Sequence, residues 1–134
     1  MRLHDAYAHP EAVELLWRLL AEREQHQNIS HRKMPTFAQH TTFVKARPYP
    51  HWYVIDCGDL VGAIYLTERR EVGIGILHGH RRNGYGRAAF MQMQEIHPGD
   101  FLANINPANR SSIDLFRDLG FVHVQQTYAL RSPT

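Results

Sequence analysis

Between residues 13 and 20 the apolar positions recur at helical spacing. Val13, Leu16 and Leu20, with Leu15 and Leu19 beside them, form one stripe. Pro10 suits a first helical position, and Glu11 and Glu14 complement the positive end of a helix dipole. This pattern predicts a first helix that ends near Gln27–Ile29, with the polar, basic stretch Gln25–Lys33 as a loop. Thr36 followed by Gln39 has the spacing of a capping box, so a second helix begins there and carries Phe37, His40, Phe43 and Val44. Arg47-Pro48-Tyr49-Pro50 ends it, because proline cannot continue a helix and restricts the residue before it.

The pattern then changes. His51–Asp56 and Leu60–Thr67 are rich in aromatic and β-branched residues and flank a turn at Gly58-Asp59, which reads as a hairpin. Glu71–Leu77 is a third strand, and Gly73 and Gly75 within it mark a bulge or a close approach to the backbone. Tyr85–Ile96 is a helix that buries Ala88, Ala89, Met93 and Ile96, and His97-Pro98-Gly99 stops it. Phe101–Ile105 reads as a short strand, Arg110–Leu119 as a helix ended by Gly120, and Phe121–Leu130 as a final strand region. This order predicts one α/β (α+β) domain over residues 1–134 with a partly antiparallel sheet.

Composition narrows the function only slightly. The 134 residues contain a single cysteine, Cys57, which excludes an internal disulfide and suits a reducing cytoplasm. In its apolar strand context Cys57 reads as a small buried hydrophobe. Met1–Pro10 has no apolar core of the kind a secretory signal needs, and no apolar run approaches a membrane span. A net charge of +2 is too small to imply nucleic-acid binding. Ten histidines are scattered without zinc spacing, and the one tight pair, His78 and His80, reads as a solvated loop, so no metal is expected.

The chemistry is concentrated between Glu71 and Ala88. There a glycine-bearing strand runs through the basic turn Arg81-Arg82-Asn83-Gly84-Tyr85-Gly86-Arg87 into a helix. Unpaired N–H groups and the helix dipole make such a start an anion site. Gly84 and Gly86 admit positive φ and a close phosphate, while Arg81, Arg82 and Arg87 add donors, so a pyrophosphate suits the turn. The Lys-Ser/Thr pair of a phosphate-binding loop is absent, and so is the first glycine of the dinucleotide pattern. Taken alone, RxxGxG also fits a plain tight turn before a helix.

Together with its flanking segments, this stretch resembles the GNAT superfamily of N-acetyltransferases. Arg81-Arg82-Asn83-Gly84-Tyr85-Gly86 is similar to the family signature Q/R-x-x-G-x-G/A, and Asn109–Phe121 resembles its second motif, an asparagine-led helix ending in Leu-Gly-Phe. The resemblance implies a mixed, mostly antiparallel central sheet flanked by helices, with two strands splayed around the pantetheine arm of acetyl-CoA. It implies that the main chain of Ile74 and Ile76 meets that arm. Arg81, Arg82, Asn83, Gly84, Gly86 and Arg87 then hold the pyrophosphate, and Asn109 and Phe116 complete the cofactor site. Glu71 is the candidate general base, with Glu68 as a weaker one. Phe116 stands where the family often has an acid tyrosine, which leaves Tyr128 or water to protonate the leaving thiolate.

The acceptor is implied to be a small-molecule or protein amine, held by residues 28–34 and 47–52 with Tyr128 opposite. Tyr49, Trp52, Tyr53, His31, Arg32, Lys33 and Arg47 supply aromatic and cationic groups there. Two rival readings are a non-catalytic CoA-binding regulatory module and a nucleic-acid binder using the basic loops. The oligomeric state stays open, a homodimer included.

Overall fold

A hairpin whose two strands are apolar almost throughout forms the centre of the molecule. The structure, a computed structural model, describes residues 1–23 and 34–133. The central strands are β2 (His51–Asp56) and β3 (Leu60–Leu66); β1 (Arg2–Asp5) pairs with β2, and β4 (Val72–Ile76) pairs with β3. The sheet runs β1-β2-β3-β4 with every neighbour antiparallel. Helices α1 (Ala12–Glu22) and α2 (Phe37–Lys45) precede β2, while α3 (Tyr85–Ile96) and α4 (Arg110–Asp118) follow β4. Successive strand residues point to opposite faces. Val54 and Ala63 accordingly join Leu15, Leu16 and Val44 in one core cluster, and their neighbours Ile55 and Ile64 join Ala89, Phe90, Met93 and Phe116 in the other. Helices cover both faces, so the strands read as continuous apolar runs.

The capping box at Thr36 is formed. Its Oγ1 accepts from the Gln39 N–H at 3.1 Å, and the Gln39 side chain accepts from the Thr36 N–H at 2.9 Å. Inside α2, His40 is buried and its ring nitrogen lies 3.1 Å from the Val13 carbonyl, which ties α2 to α1. The first helix is shorter than the periodicity implies. It starts at Ala12 rather than at Pro10, and Arg23 turns to extended backbone and ends it. The predicted end near Gln27–Ile29 and the whole Gln25–Lys33 loop lie outside the described residues.

Other expectations differ as well. β1 was not foreseen, because Leu3 is its only apolar residue. Phe101–Ile105 is not a strand: Leu102 alone forms an isolated parallel bridge with Glu71. The Phe121–Leu130 region has no ladder partner among the described residues. The buried face of α3 is Gly86, Ala89, Phe90 and Met93, with Phe90 deep in the core and Ile96 half exposed. Cys57 is half-buried, and burial raises its thiol pKa, which weakens it as a nucleophile.

The exit from α3 is fastened to the sheet by Arg70, which adopts left-handed backbone at φ 64°. Its guanidinium donates to the His97 carbonyl at 2.7 Å and to the Asp100 carbonyl, and it lies over the Phe101 ring. These contacts bring residues 101–104 alongside β4. No helix among the described residues is long and apolar enough to cross a membrane.

Candidate functional site

The site starts as a fork. Val72 donates to the Leu102 carbonyl at 2.7 Å, and Leu102 donates to the Arg70 carbonyl at 2.8 Å. Pairing between β4 and residues 101–105 stops at this one bridge. On the other side of β4, Thr67 donates to Glu71 and Leu77 donates to Val61, which fixes the alternation of the ladder. Residues 71, 73, 75 and 77 bond to β3, so the backbone groups of Val72, Ile74 and Ile76 point outward into the fork. Val72 is bonded there to Leu102, and the Ile76 carbonyl accepts from Arg81 Nε at 3.2 Å. The Ile74 N–H and C=O and the Ile76 N–H remain directed at the opening.

Beyond β4 the chain makes one 3-10 turn, His78–His80, and then the basic glycine turn. Gly84 caps α3 in left-handed backbone at φ 75°, and Arg82 is left-handed too at φ 65°. Alternating left-handed residues curl successive N–H groups toward a common centre, the geometry of an anion nest. Among the described residues, none of the N–H groups from Arg82 to Arg87 has a backbone acceptor. The side chains divide the work. Arg81 holds the Ile76 carbonyl and Asn83 folds back on the His80 carbonyl at 3.1 Å, so both shape the turn from within, while Arg82 and Arg87 stay exposed. Gly86 serves differently from Gly84. It is buried in the helix, and a Cβ there would lie 3.4 Å from Leu115 and 3.5 Å from Ile74. These are ordinary contact distances, and Gly86 is not among the glycines with positive φ, so it packs helix against strand and does not shape the turn.

At the base of the fork lies Glu71. Its Oε1 accepts from the Thr67 hydroxyl at 3.2 Å, its Oε2 accepts from the Asn104 amide, and its own N–H donates to Thr67 Oγ1 at 3.0 Å. The carboxylate is thus held by one residue from each side. It borders a pocket of about 220 Å³ with Tyr49, Tyr65, Thr67, Val72 and Asn104. The Tyr49 and Tyr65 rings stack at 4.1 Å and 8°. Burial above all pushes the Tyr49 hydroxyl up to about 12 and raises that of Tyr65, so both stay protonated and neutral beside Glu71. A larger hollow of about 410 Å³ lies between α1 and the β2–β3 turn and contains none of these residues.

Sequence reasoning missed Tyr65, Thr67 and Asn104, whose places depend on pairings across the sheet. Of the aromatics expected at the acceptor site, Tyr49 lines the pocket, Trp52 is core, and Tyr53 bonds to His97 at 2.8 Å. Arg47 lies over the Tyr7 ring, 4.9 Å from its centre. His31, Arg32 and Lys33 lie outside the described residues. Glu68 is exposed and makes no contact with the pocket, and His78 is tied to Glu22 at the end of α1. Phe116 is 6 % exposed and packs edge-on against Phe121 in the core, whereas Tyr128 is 88 % exposed and bonds to Gln126.

Asn109 is 8 % exposed and caps α4, its Oδ1 accepting from the Ser112 N–H at 3.3 Å and from the Ser111 hydroxyl at 3.2 Å. Asn109→Ala therefore lowers stability by about 1 kcal/mol, the usual worth of such a cap. The expected result in thermal melting is a fall of a few degrees, and an unchanged melting temperature would refute the capping role. Among the described residues no group of three or more His, Cys, Asp or Glu side chains is placed to hold a metal ion.

A family model described as the acetyltransferase (GNAT) family matches residues 11–121. No curated protein sequence matches the chain. Among solved structures, yncA from Salmonella typhimurium, determined with its cofactor acetyl-CoA, is similar with a TM-score of 0.63 and 18 % identity over 90 % of this chain and 77 % of that one. An N-acetyltransferase from Staphylococcus aureus gives 0.64 at 14 % identity over 92 % and 83 %. A transcriptional regulator from Bacillus halodurans gives 0.65 at 11 % identity over 98 % and 99 %. At these identities the likeness is one of fold.

Proposed function

Because the chain belongs to the GNAT acetyltransferase family, we propose that it transfers the acetyl group of acetyl-CoA to a primary amine of a small molecule or protein, in the cytoplasm. The observation that carries this reading is the continuity of the fork. The outward backbone of Ile74 and Ile76 leads at one end to the Glu71 pocket and at the other to the N–H nest that opens α3. A long ligand with an anionic middle and a reactive tip fits that path. The likeness in fold to a structure determined with acetyl-CoA supports the same reading.

On this reading Ile74 and Ile76 align the pantetheine arm through main-chain bonds. The N–H groups of Gly84–Arg87, with Arg82 and Arg87, face the pyrophosphate, while Arg81 and Asn83 hold the turn in shape. Acetyl-CoA supplies an acyl group already activated as a thioester. Glu71 takes a proton from the amine, directly or through water, and Thr67 and Asn104 fix its direction. The Val72 N–H is occupied by Leu102, which makes Ile74 the first outward N–H free to stabilise charge on the carbonyl oxygen. Phe116 has no proton for the departing sulfur, which leaves Tyr128, water and the protonated Tyr49 and Tyr65 hydroxyls of the Glu71 pocket as sources.

The test is Gly84→Asp. A Cβ at Gly84 meets nothing within 4 Å, and Asp tolerates the left-handed backbone better than most residues, so the strain at φ 75° costs about 1–2 kcal/mol and the fold is retained. The new carboxylate repels a phosphate in the nest, and calorimetry is expected to show acetyl-CoA affinity reduced by at least about tenfold. Unchanged affinity would refute the placement. The core position of Phe116 favours one other reading, a CoA-binding module without catalysis. Amine-dependent release of free thiol from acetyl-CoA excludes that alternative.

A further inference from the structure

We propose that Tyr65, on β3, is the catalytic residue that gives its hydroxyl proton to the departing thiolate. The inference rests on the acetyl-transfer reading and adds to it a residue from across the sheet. Tyr65 stands opposite Gly73 in the β3–β4 ladder, and residues paired in this way project from the same face. A Cβ on Gly73 would overlap the Tyr65 hydroxyl and the ring carbons beside it, so the hydroxyl end of the ring stands directly over Gly73. The side chain thus crosses from β3 to β4, and the glycine is what admits it. Stacking on the Tyr49 ring at 4.1 Å holds it there.

Along this face of β4 the groups come in the order the reaction needs. Strand side chains alternate, so Glu71 and Gly73 share the face, and Gly75 follows beneath Leu19 of α1. The proposed path of acetyl-CoA runs from the nest that opens α3, past Ile76 and Ile74, to the Glu71 pocket. In a thioester the sulfur joins the arm to the acyl carbon, so it lies one step nearer the nest than the carbon the amine attacks. The Tyr65 hydroxyl, over position 73, is likewise one step nearer the nest than the Glu71 carboxylate. Base and acid bracket the reacting carbon.

The hydroxyl is also in the state the step requires. Burial above all raises it, and Glu71 adds to this, so it is protonated at neutral pH. The charge of Arg23 and a hydrogen bond from Tyr49 pull the other way and ease the release of its proton. The Tyr49 hydroxyl, pushed up to about 12, is spent on that bond. Tyr128 is 88 % exposed and bonded to Gln126. In the reaction the C–N bond forms as Glu71 takes a proton from the amine, and the C–S bond breaks as Tyr65 gives its proton to sulfur. Glu71 then returns a proton to the Tyr65 oxygen through water in the pocket they share, which leaves an amide, a free thiol and both residues restored. From carboxyl to thiolate the relay runs downhill.

Tyr65→Phe keeps the ring over Gly73 and stacked on Tyr49. By calorimetry it is expected to bind acetyl-CoA within about twofold of the parent, and to lose roughly 10²-fold or more in turnover of any accepted amine. Replacing Tyr65 by 3-fluorotyrosine and by 3,5-difluorotyrosine makes the phenol stepwise more acidic with little change in size. The alkaline limb of the pH–rate profile is expected to move to lower pH in the same steps, which a ring that only fills space would not cause. Tyr49→Phe removes the donor to Tyr65 but leaves the Tyr65 proton, and is expected to lose less turnover than Tyr65→Phe. Full turnover in Tyr65→Phe overturns the proposal. So does an alkaline limb indifferent to the fluorotyrosine series, or a loss in Tyr49→Phe that equals the loss in Tyr65→Phe. In each of those cases acetyl transfer itself is still seen. Failure of the parent protein to acetylate any amine while it binds acetyl-CoA overturns the acetyl-transfer reading and this proposal together.

Discussion

If Glu71 is the proposed general base, Glu71→Gln is expected to retain the fold and the affinity for acetyl-CoA and to lose roughly 10²–10⁴-fold in turnover, the usual contribution of a positioned base. Glutamine keeps the shape of the side chain and an acceptor for the Thr67 hydroxyl, so the pocket survives while the basic oxygen does not. The loss should shrink as pH rises, because the acceptor amine then arrives already deprotonated. A pH–rate profile of both proteins with any accepted amine, read beside calorimetry of acetyl-CoA binding, provides the measurement. Full activity of the variant at neutral pH would leave Glu71 as a structural clasp between Thr67 and Asn104. The base would then have to be a water.

The second large effect concerns two glycines on one face of β4. A Cβ at Gly73 would overlap the Tyr65 ring, whereas a Cβ at Gly75 would meet nothing closer than Leu19 at 3.5 Å. Tyr65 cannot swing aside easily, because it is stacked on Tyr49. Gly73→Ala therefore forces a ring out of place at the edge of the Glu71 pocket, at a cost of about 1–3 kcal/mol. Its melting temperature should fall by roughly 5 °C or more, and its turnover should drop along with it. Gly75→Ala should melt close to the parent. Equal melting of the two variants would show that Tyr65 has room to move.

These glycines also mark where the sequence stopped being readable. Interior glycines in a strand announce a close approach, but the approaching group at Gly73 is the protein's own tyrosine. The local signals carried well: the capping box at Thr36, the hairpin at Gly58-Asp59, the limits of α3 and α4, and the glycine turn all depend on residues near in sequence. Pairings across long separations did not. Asn104 reaches Glu71 across 33 positions, and nothing in either neighbourhood announces the other. β1 escaped because a four-residue edge strand with one apolar side chain has no period to detect. For Phe121–Leu130 the alternation is present in the residues, yet the segment has no ladder partner among the described residues. On α3, helical period alone could not choose between Ile96 and Phe90 for the core; the sheet beneath chooses Phe90.

The bridge between Glu71 and Leu102 sits where two tines meet. When a fork is spread, its tips travel and its crotch stays nearly still. On the proposed reading, any opening of the chain beyond Leu102 away from Ile74 and Ile76 grows with distance from the bridge. Glu71 lies at the point of least travel, with its carboxylate fastened to both tines by Thr67 and Asn104. A cleft built this way can open at its tips and keep the Glu71 carboxylate aimed where it was, which is what the proposed base requires.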